Sequence, residues 1–211
     1  MPRVKGVQPR LWNLRRQVMG NLIPVVFSLP WGAYGAAMAI RTQKYFGPGL
    51  LMLVGSVVLM WILVNFVGAY ENPRLKRELA RRLAAEKTPL DGGAVFVGFA
   101  RPSHVGWLDP HEDIGFLSLG PASAVFHGEA IDLEIPKDEI DRVRHRFNAH
   151  TFAGLGRWVS IEGKTAGVPF RLLVEPRERR TLLGNFIYST DLRKRVEGWL
   201  KEKRPRPEPG P

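Results

Sequence analysis

The sequence predicts an α+β chain: an α-helical transmembrane hairpin followed by a mainly-β barrel or sandwich closed by a C-terminal helix. Three observations predict it. Two long N-terminal runs, from Gln17 to Ile40 and from Tyr45 to Tyr70, carry no charged residue. Beyond residue 93 the apolar spacing switches from helical to alternating. The stretch STDLRKRVEGWLKEK then returns to helical spacing, with Leu192, Val196, Trp199 and Leu200 on one face.

The uncharged runs are 24 and 26 residues long, where a helix needs about 20 to cross the hydrocarbon. Within residues 50–70 of the second run, twelve Leu, Ile, Val or Phe side chains, each contributing roughly −0.3 to −0.6 kcal/mol, outweigh Asn65 and Ser56. The first run holds Pro24, Pro30 and Asn21 among fewer large apolar residues. Its small residues recur at Gly32/Ala36 and Gly35/Ala39, a spacing that lets a neighbouring helix approach closely. The predicted spans are about 18–40 and 50–70, joined as a hairpin over 18–70. An alternative for the first run is a signal peptide, since the start is basic and Ala37-Met38-Ala39 resembles a cleavage site.

Charge orients the hairpin. Five Lys/Arg precede the first span, two lie between the spans and six follow closely. The positive-inside rule therefore predicts an inner-membrane protein with both termini and the C-terminal domain in the cytoplasm. The net charge of +11 invites a nucleic-acid reading, but residues 1–87 carry 13 Lys/Arg against three Asp/Glu. Residues 88–211 carry 18 against 17. Cations clustered around apolar runs match membrane topology and are a poor match to a duplex-binding face, so no nucleic-acid partner is expected. The absence of cysteine excludes disulfides, Cys-ligated zinc and thiol nucleophiles.

After the basic segment 1–17 and the hairpin, residues 71–88 read as a basic juxtamembrane helix, with Asn72 as cap and Pro73 in its first turn. Leu75, Leu79 and Leu83 form its apolar stripe. Arg74, Arg77, Arg81 and Arg82 flank the stripe and suit an anionic leaflet; alternatively the leucines dock on the next domain. Residues 89–202 form that domain. Strands are predicted at AVFVGFA, IGFLSL, SAVFHG, AIDLEI, DRVRHRF, RWVSIEG, VPFRLLVEP and TLLGNFIYS, with the final helix capped by Ser189 or Thr190. The proline-rich tail 203–211 reads as disordered.

The runs GFLSLG…AVFHGEAIDLEIPKDEIDRVRHR and RWVSIEG…VPFRLLVEP, followed by a helix, resemble a bacterial PH-like or GRAM-like domain over roughly 114–202. Gly115, Leu117 and Leu119 fill the Gly-x-Leu-x-Leu strand, and Ile135-Pro136, Ile140 and Val143 fill the later apolar places. The resemblance implies a domain often fused to membrane helices that binds lipid, peptide or protein. It carries no reactive group.

Two constellations could carry chemistry or binding. The first gathers His104, Asp109, His111, Glu112 and Asp113 around GWLDPHEDIGFL. Imidazole and carboxylate together suit zinc, manganese or iron. Against that, the ligands crowd one loop, Asp109-Pro110 is a turn signal, and Glu112 and Asp113 read as solvating the approach to a strand. The second is a row on one strand face, Arg142, Arg144 and Arg146, about 7 Å apart and extended by Arg171. Guanidinium forks suit phosphate or an acidic partner; alternatively Asp132, Glu134 and Asp141 pair with the row across the sheet. His145, sharing a face with Val143 and Phe147, reads as partly buried. Trp12, Trp31 and Trp61 read as membrane packing or interfacial anchoring, and Trp107, Trp158 and Trp199 as core. Gly163-Lys164-Thr165 lacks the upstream glycine of a phosphate loop, and His111-Glu112 lacks the second histidine of a zinc-protease motif.

The expectation is a non-enzymatic, membrane-anchored module binding anionic lipid headgroups or a protein partner, with no cofactor, metal or catalytic residue. The alternatives are a metal-dependent hydrolase using His104 and the 109–113 loop, and a structural subunit of a membrane assembly.

Overall fold

A computed structural model describes residues 3–4, 9–43, 46–104 and 110–202. Helix α1 (Leu14–Thr42) starts where extended Asn13 turns its side-chain oxygen onto the N–H of Arg16 at 3.2 Å. It runs on through Pro24 and Pro30 and stops at Gln43, which adopts the left-handed conformation. Helix α2 (Pro48–Val67) begins with proline in its first turn, where the missing N–H costs nothing. The two pack as the expected hairpin. A Cβ on Gly35 would stand 2.7 Å from the carbonyl oxygen of Gly49, so the backbones touch where the sequence is smallest. Both helices are long and apolar enough to cross a membrane. Phe27, Trp31 and Leu51 keep more than half their surface exposed.

Helix α3 (Asn72–Ala85) begins at the residue predicted to cap it. Asn72 is buried instead: its Nδ2 donates to the Arg179 carbonyl at 3.1 Å and its Oδ1 accepts from Arg177 Nε at 3.0 Å. Those tertiary partners occupy the amide that a cap would need. Leu75, Leu79 and Leu83 dock on Phe96, Ile114 and Phe116, which realises the docking alternative for this helix. Arg74, Arg77 and Arg81 stay exposed, whereas Arg82 is held by Glu129 at 3.5 Å and by the Pro9 carbonyl at 2.9 Å. Glu129 also accepts from the N–H groups of Leu11 and Trp12, tying down the segment before α1.

The domain is one antiparallel sheet. Its strands are β1 (Arg3–Val4), β2 (Val95–Ala100), β3 (Asp113–Leu119), β4 (Ser123–Gly128), β5 (Ile131–Pro136), β6 (Ile140–Arg146), β7 (Trp158–Thr165) and β8 (Val168–Pro176). They lie in the order β1-β5-β4-β3-β2-β8-β7-β6. The sheet is not closed: β6 ends one side and two-residue β1 the other, so the expected barrel is instead an open sheet with an apolar cluster on each face. Alternation dictates the two faces. Val97, Phe99, Phe126, Val143, Val159 and Ile161 pack one face against Leu192, Val196 and Trp199 of helix α4 (Leu182–Lys201). The opposite face receives α3. Trp158 and Trp199 are core residues, as expected.

TLLGNFIYS is helix, not strand. Thr181 caps α4 by accepting from the Gly184 N–H at 3.1 Å, eight or nine residues before the expected cap at Ser189 or Thr190. The buried side of its first half is polar: Asn185 holds the Arg179 backbone, accepting from N–H at 2.8 Å and donating to the carbonyl at 3.1 Å. Ser189 accepts from Arg157 Nε at 2.9 Å. A helix buried through polar residues shows no apolar period, so the apolar letters left over mimicked a strand.

The domain sits directly on the hairpin ends. Trp61 Nε1 donates to the Ala153 carbonyl at 2.7 Å, and the Leu183 N–H donates to Asn65 Oδ1 at 2.9 Å. Arg16 Nε pairs with Glu71 at 2.8 Å.

Candidate functional site

The acidic loop does not form a centre. Asp109 and Trp107 lie outside the described residues; Glu112, Asp113 and His111 each face a different partner, and the His104 imidazole Nε2 is buried with no hydrogen bond among the described residues. Glu112 is clamped by the Arg101 guanidinium, whose Nε lies 3.0 Å from Oε2, and that hydrogen bonding holds its carboxyl below the usual range. Asp113 is buried, not solvating: Oδ2 accepts from the N–H groups of Ala130 and Ile131 at 3.0 and 2.9 Å, and Oδ1 from Ile114 at 2.9 Å. It pins the β4–β5 turn, and burial pushes its carboxyl up to about 6. The His104 N–H donates to the Arg101 carbonyl at 3.0 Å, closing a turn. Among the described residues no group of three or more His, Asp and Glu is placed to hold a metal.

His111 is seated differently. Its imidazole lies over Gly98, where any Cβ would overlap the ring, and meets Trp158 edge-on at 5.1 Å. Nε2 stands 3.3 Å from Oε2 of Glu175, a buried carboxylate occupying the space a side chain at Gly156 would need. Glu175 was not singled out from sequence. Its strand, VPFRLLVEP, was legible, but its partner on β2, Gly98, is 77 positions upstream.

The arginine row is built as its spacing predicts, and its partner is not. Arg142 Nε, Arg144 Nε and Arg146 Nη2 reach Glu162 at 2.8, 3.0 and 3.1 Å, and Arg171 Nε at 3.2 Å. Ser160 Oγ adds a hydrogen bond at 2.8 Å. Burial pushes the Glu162 carboxyl up, but the hydrogen bonds from Arg144, Ser160, Arg146 and Arg142 outweigh it and hold it at about 2. The expected partners are elsewhere: Asp132 faces His127 at 3.4 Å, Glu134 accepts from Ser123 at 2.7 Å, and Asp141 is exposed. Strand β5 neighbours β6 in sequence only; five strands separate them in the sheet. Four guanidiniums on one carboxylate leave a fixed cationic surplus, with Arg142 62% exposed. His145 is half-buried as expected, and burial followed by the Arg157 and Arg193 charges lowers its pKa. Phe147, expected beside it, is exposed.

A cleft of about 760 Å³ opens where the hairpin meets the domain. Met19, Ile23, Val64 and Val67 line it from α1 and α2; Arg15, Arg74 and Arg177 line it from the polar side. Arg177 is buried there and stacks on Trp12 at 4.0 Å. Trp12 thus serves the junction and not lipid packing alone. His111 and Glu175 lie on the same wall. Arg74 is the one cation of the sequence-predicted contacts that reaches this cleft. Compared with protein-family models and with curated proteins, the chain matches none.

Proposed function

We propose that the chain is a membrane-anchored, non-enzymatic binding module whose domain, PH-like in its sheet-and-helix plan, binds anionic lipid at the inner leaflet. The hairpin crosses the cytoplasmic membrane with both termini inside. The observation that carries this reading is the seating of the domain on the helix ends through Trp61–Ala153 and Leu183–Asn65. In that position Arg15, Arg74 and Arg177 stand at headgroup height, where each cation near an anionic leaflet contributes about 1 kcal/mol.

The test uses the full chain in nanodiscs of phosphatidylcholine alone or mixed equally with phosphatidylglycerol. A ligand that binds only the folded protein raises its thermal midpoint, so a higher midpoint in the anionic disc is expected. Equal midpoints overturn the lipid reading. A second reading, an acidic protein partner, is favoured by the Glu162-centred arginines, which face outward from the far side of the sheet. A photo-crosslinker at position 142 that yields no adduct in native membranes would remove it.

The hydrolase alternative draws no support from a loop whose described carboxylates and imidazoles do not converge in a group of three. Elemental analysis of the purified full chain is expected to give less than one metal per chain. A ratio near one, lost in His111→Ala, would reinstate it.

A further inference from the structure

Resting on the membrane placement just proposed, we infer that the cleft between the hairpin ends and the sheet is a site for one anionic phospholipid. Its phosphate lies among Arg15, Arg74 and Trp12, and its alkyl chain lies along α1 and α2.

Four independent features of the cleft converge on that ligand. Its lining differs in kind: Met19, Ile23, Val64 and Val67 are apolar positions of α1 and α2, while Arg15 and Arg16 at the start of α1, Arg74 of α3 and Arg177 make its other end cationic. An amphiphile matches both ends at once; a free anion matches one.

Charge then selects the sign. Four arginines line the cleft against Glu71 and Glu175. Glu71 is taken by Arg16 and Glu175 faces His111. Among the described residues Arg15 and Arg74 have no carboxylate partner, so the cleft lacks anionic charge.

Two buried donors point the same way. The Trp12 indole N–H and the Asn148 amide NH₂ are both shielded from solvent and both lack an acceptor among the described residues. Both residues line this cleft. Buried donors without partners are rare in folded chains and call for an explanation in each case. A rotation of either side chain toward the cleft would bring its donor to phosphate oxygens, which accept and do not donate when ionised and which the arginines also lack.

Size agrees as well. A volume of about 760 Å³ falls within the roughly 300–1,000 Å³ of small-molecule sites, which suits one headgroup with the first part of a chain.

The experiment is native mass spectrometry of the full chain in detergent, titrated with phosphatidylglycerol, phosphatidylcholine and inorganic phosphate in parallel. One phosphatidylglycerol retained per chain is expected, with phosphatidylcholine retained far less and inorganic phosphate a poor competitor. Arg15→Ala with Arg74→Ala, both at exposed positions, is expected to weaken retention roughly thirtyfold, about fivefold per cation. Ile23→Trp, which fills the apolar wall without touching charge, is expected to lower retention too. If inorganic phosphate displaces the lipid fully, the alkyl part of the proposal fails. If Arg142→Ala with Arg144→Ala abolishes retention and the cleft variants do not, the cleft assignment fails while the broader lipid reading stands. If no variant matters and both lipids bind equally, both fail.

Discussion

Glu162 and Asp113 are two buried carboxylates with opposite electrostatic fates. Glu162 is held at about 2 by its arginines and Ser160, whereas an unfolded glutamate titrates near ~4.3. A folded pKa below the unfolded one gives stability that is complete above ~4.3 and is lost as pH falls toward about 2. The contribution is on the order of 2 kcal/mol, after allowing for solvent screening of the exposed arginines. Asp113 works the other way. Its carboxyl is raised to about 6 by burial, so its contribution is complete below ~3.9 and declines as pH rises through about 6. Thermal midpoints measured across pH are therefore expected to lose their acid limb in Glu162→Gln and to flatten between roughly pH 4 and 6 in Asp113→Asn. An unchanged profile in either variant would show that the carboxylate is not in the environment described. The loop carrying Asp113 was legible as acidic and turn-forming. Its use as an acceptor for Ala130 and Ile131 was not, because those N–H groups come from a turn 17 residues downstream.

At the scale of elements, the seam between α2 and α4 matters most. Asn65 is a polar residue in an otherwise apolar run, and its side-chain oxygen takes the Leu183 N–H at 2.9 Å. Leu183 is in the first turn of α4, where N–H groups have no helical acceptor. Replacing Asn65 with Ala leaves that donor buried and unpaired, which costs about 1–3 kcal/mol. Hydrogen exchange is expected to speed up in the first turn of α4 before the sheet is affected; equal protection in variant and parent would show the seam rests on other contacts. From sequence, Asn65 counted only as a cost to membrane insertion. Its spacing to Leu183 carries no local signal, so only folding reveals the pairing.

For the whole molecule, the proposed topology puts Gln43 outside and Asp91 inside. The chain has no cysteine of its own, so single substitutions report cleanly. Gln43→Cys is expected to react with an impermeant maleimide in intact cells, and Asp91→Cys only after permeabilisation. Reaction of both in intact cells, or the reverse pattern, would overturn the orientation. The same arrangement explains why one cleft can present two chemistries. The hairpin contributes apolar side chains because its outer surface is apolar nearly all round. The arginines come from the first turn of α1, from α3 and from Arg177 just after β8, all of which meet at the helix ends.

What the sequence by itself determined is what repeats locally. Uncharged runs of 24 and 26 residues define α1 and α2, Gly32 and Gly35 mark their contact, and period-two alternation marks β2 to β8. A side chain's burial recurs with the pitch of its own element, so type and face are written into spacing. The arginine row was legible for that reason. What only the tertiary structure decided is who meets whom. Glu162 gathers the arginines because β7 neighbours β6, while Asp132 and Glu134 lie on β5, far across the sheet. The start of α4 escaped because its buried face is Asn185 and Ser189, satisfied by Arg179 and Arg157. The cleft escaped because its lining comes from stretches far apart in the chain. Hydrogen bonds and charges choose their partners by proximity in space, and spacing along the chain does not encode that proximity.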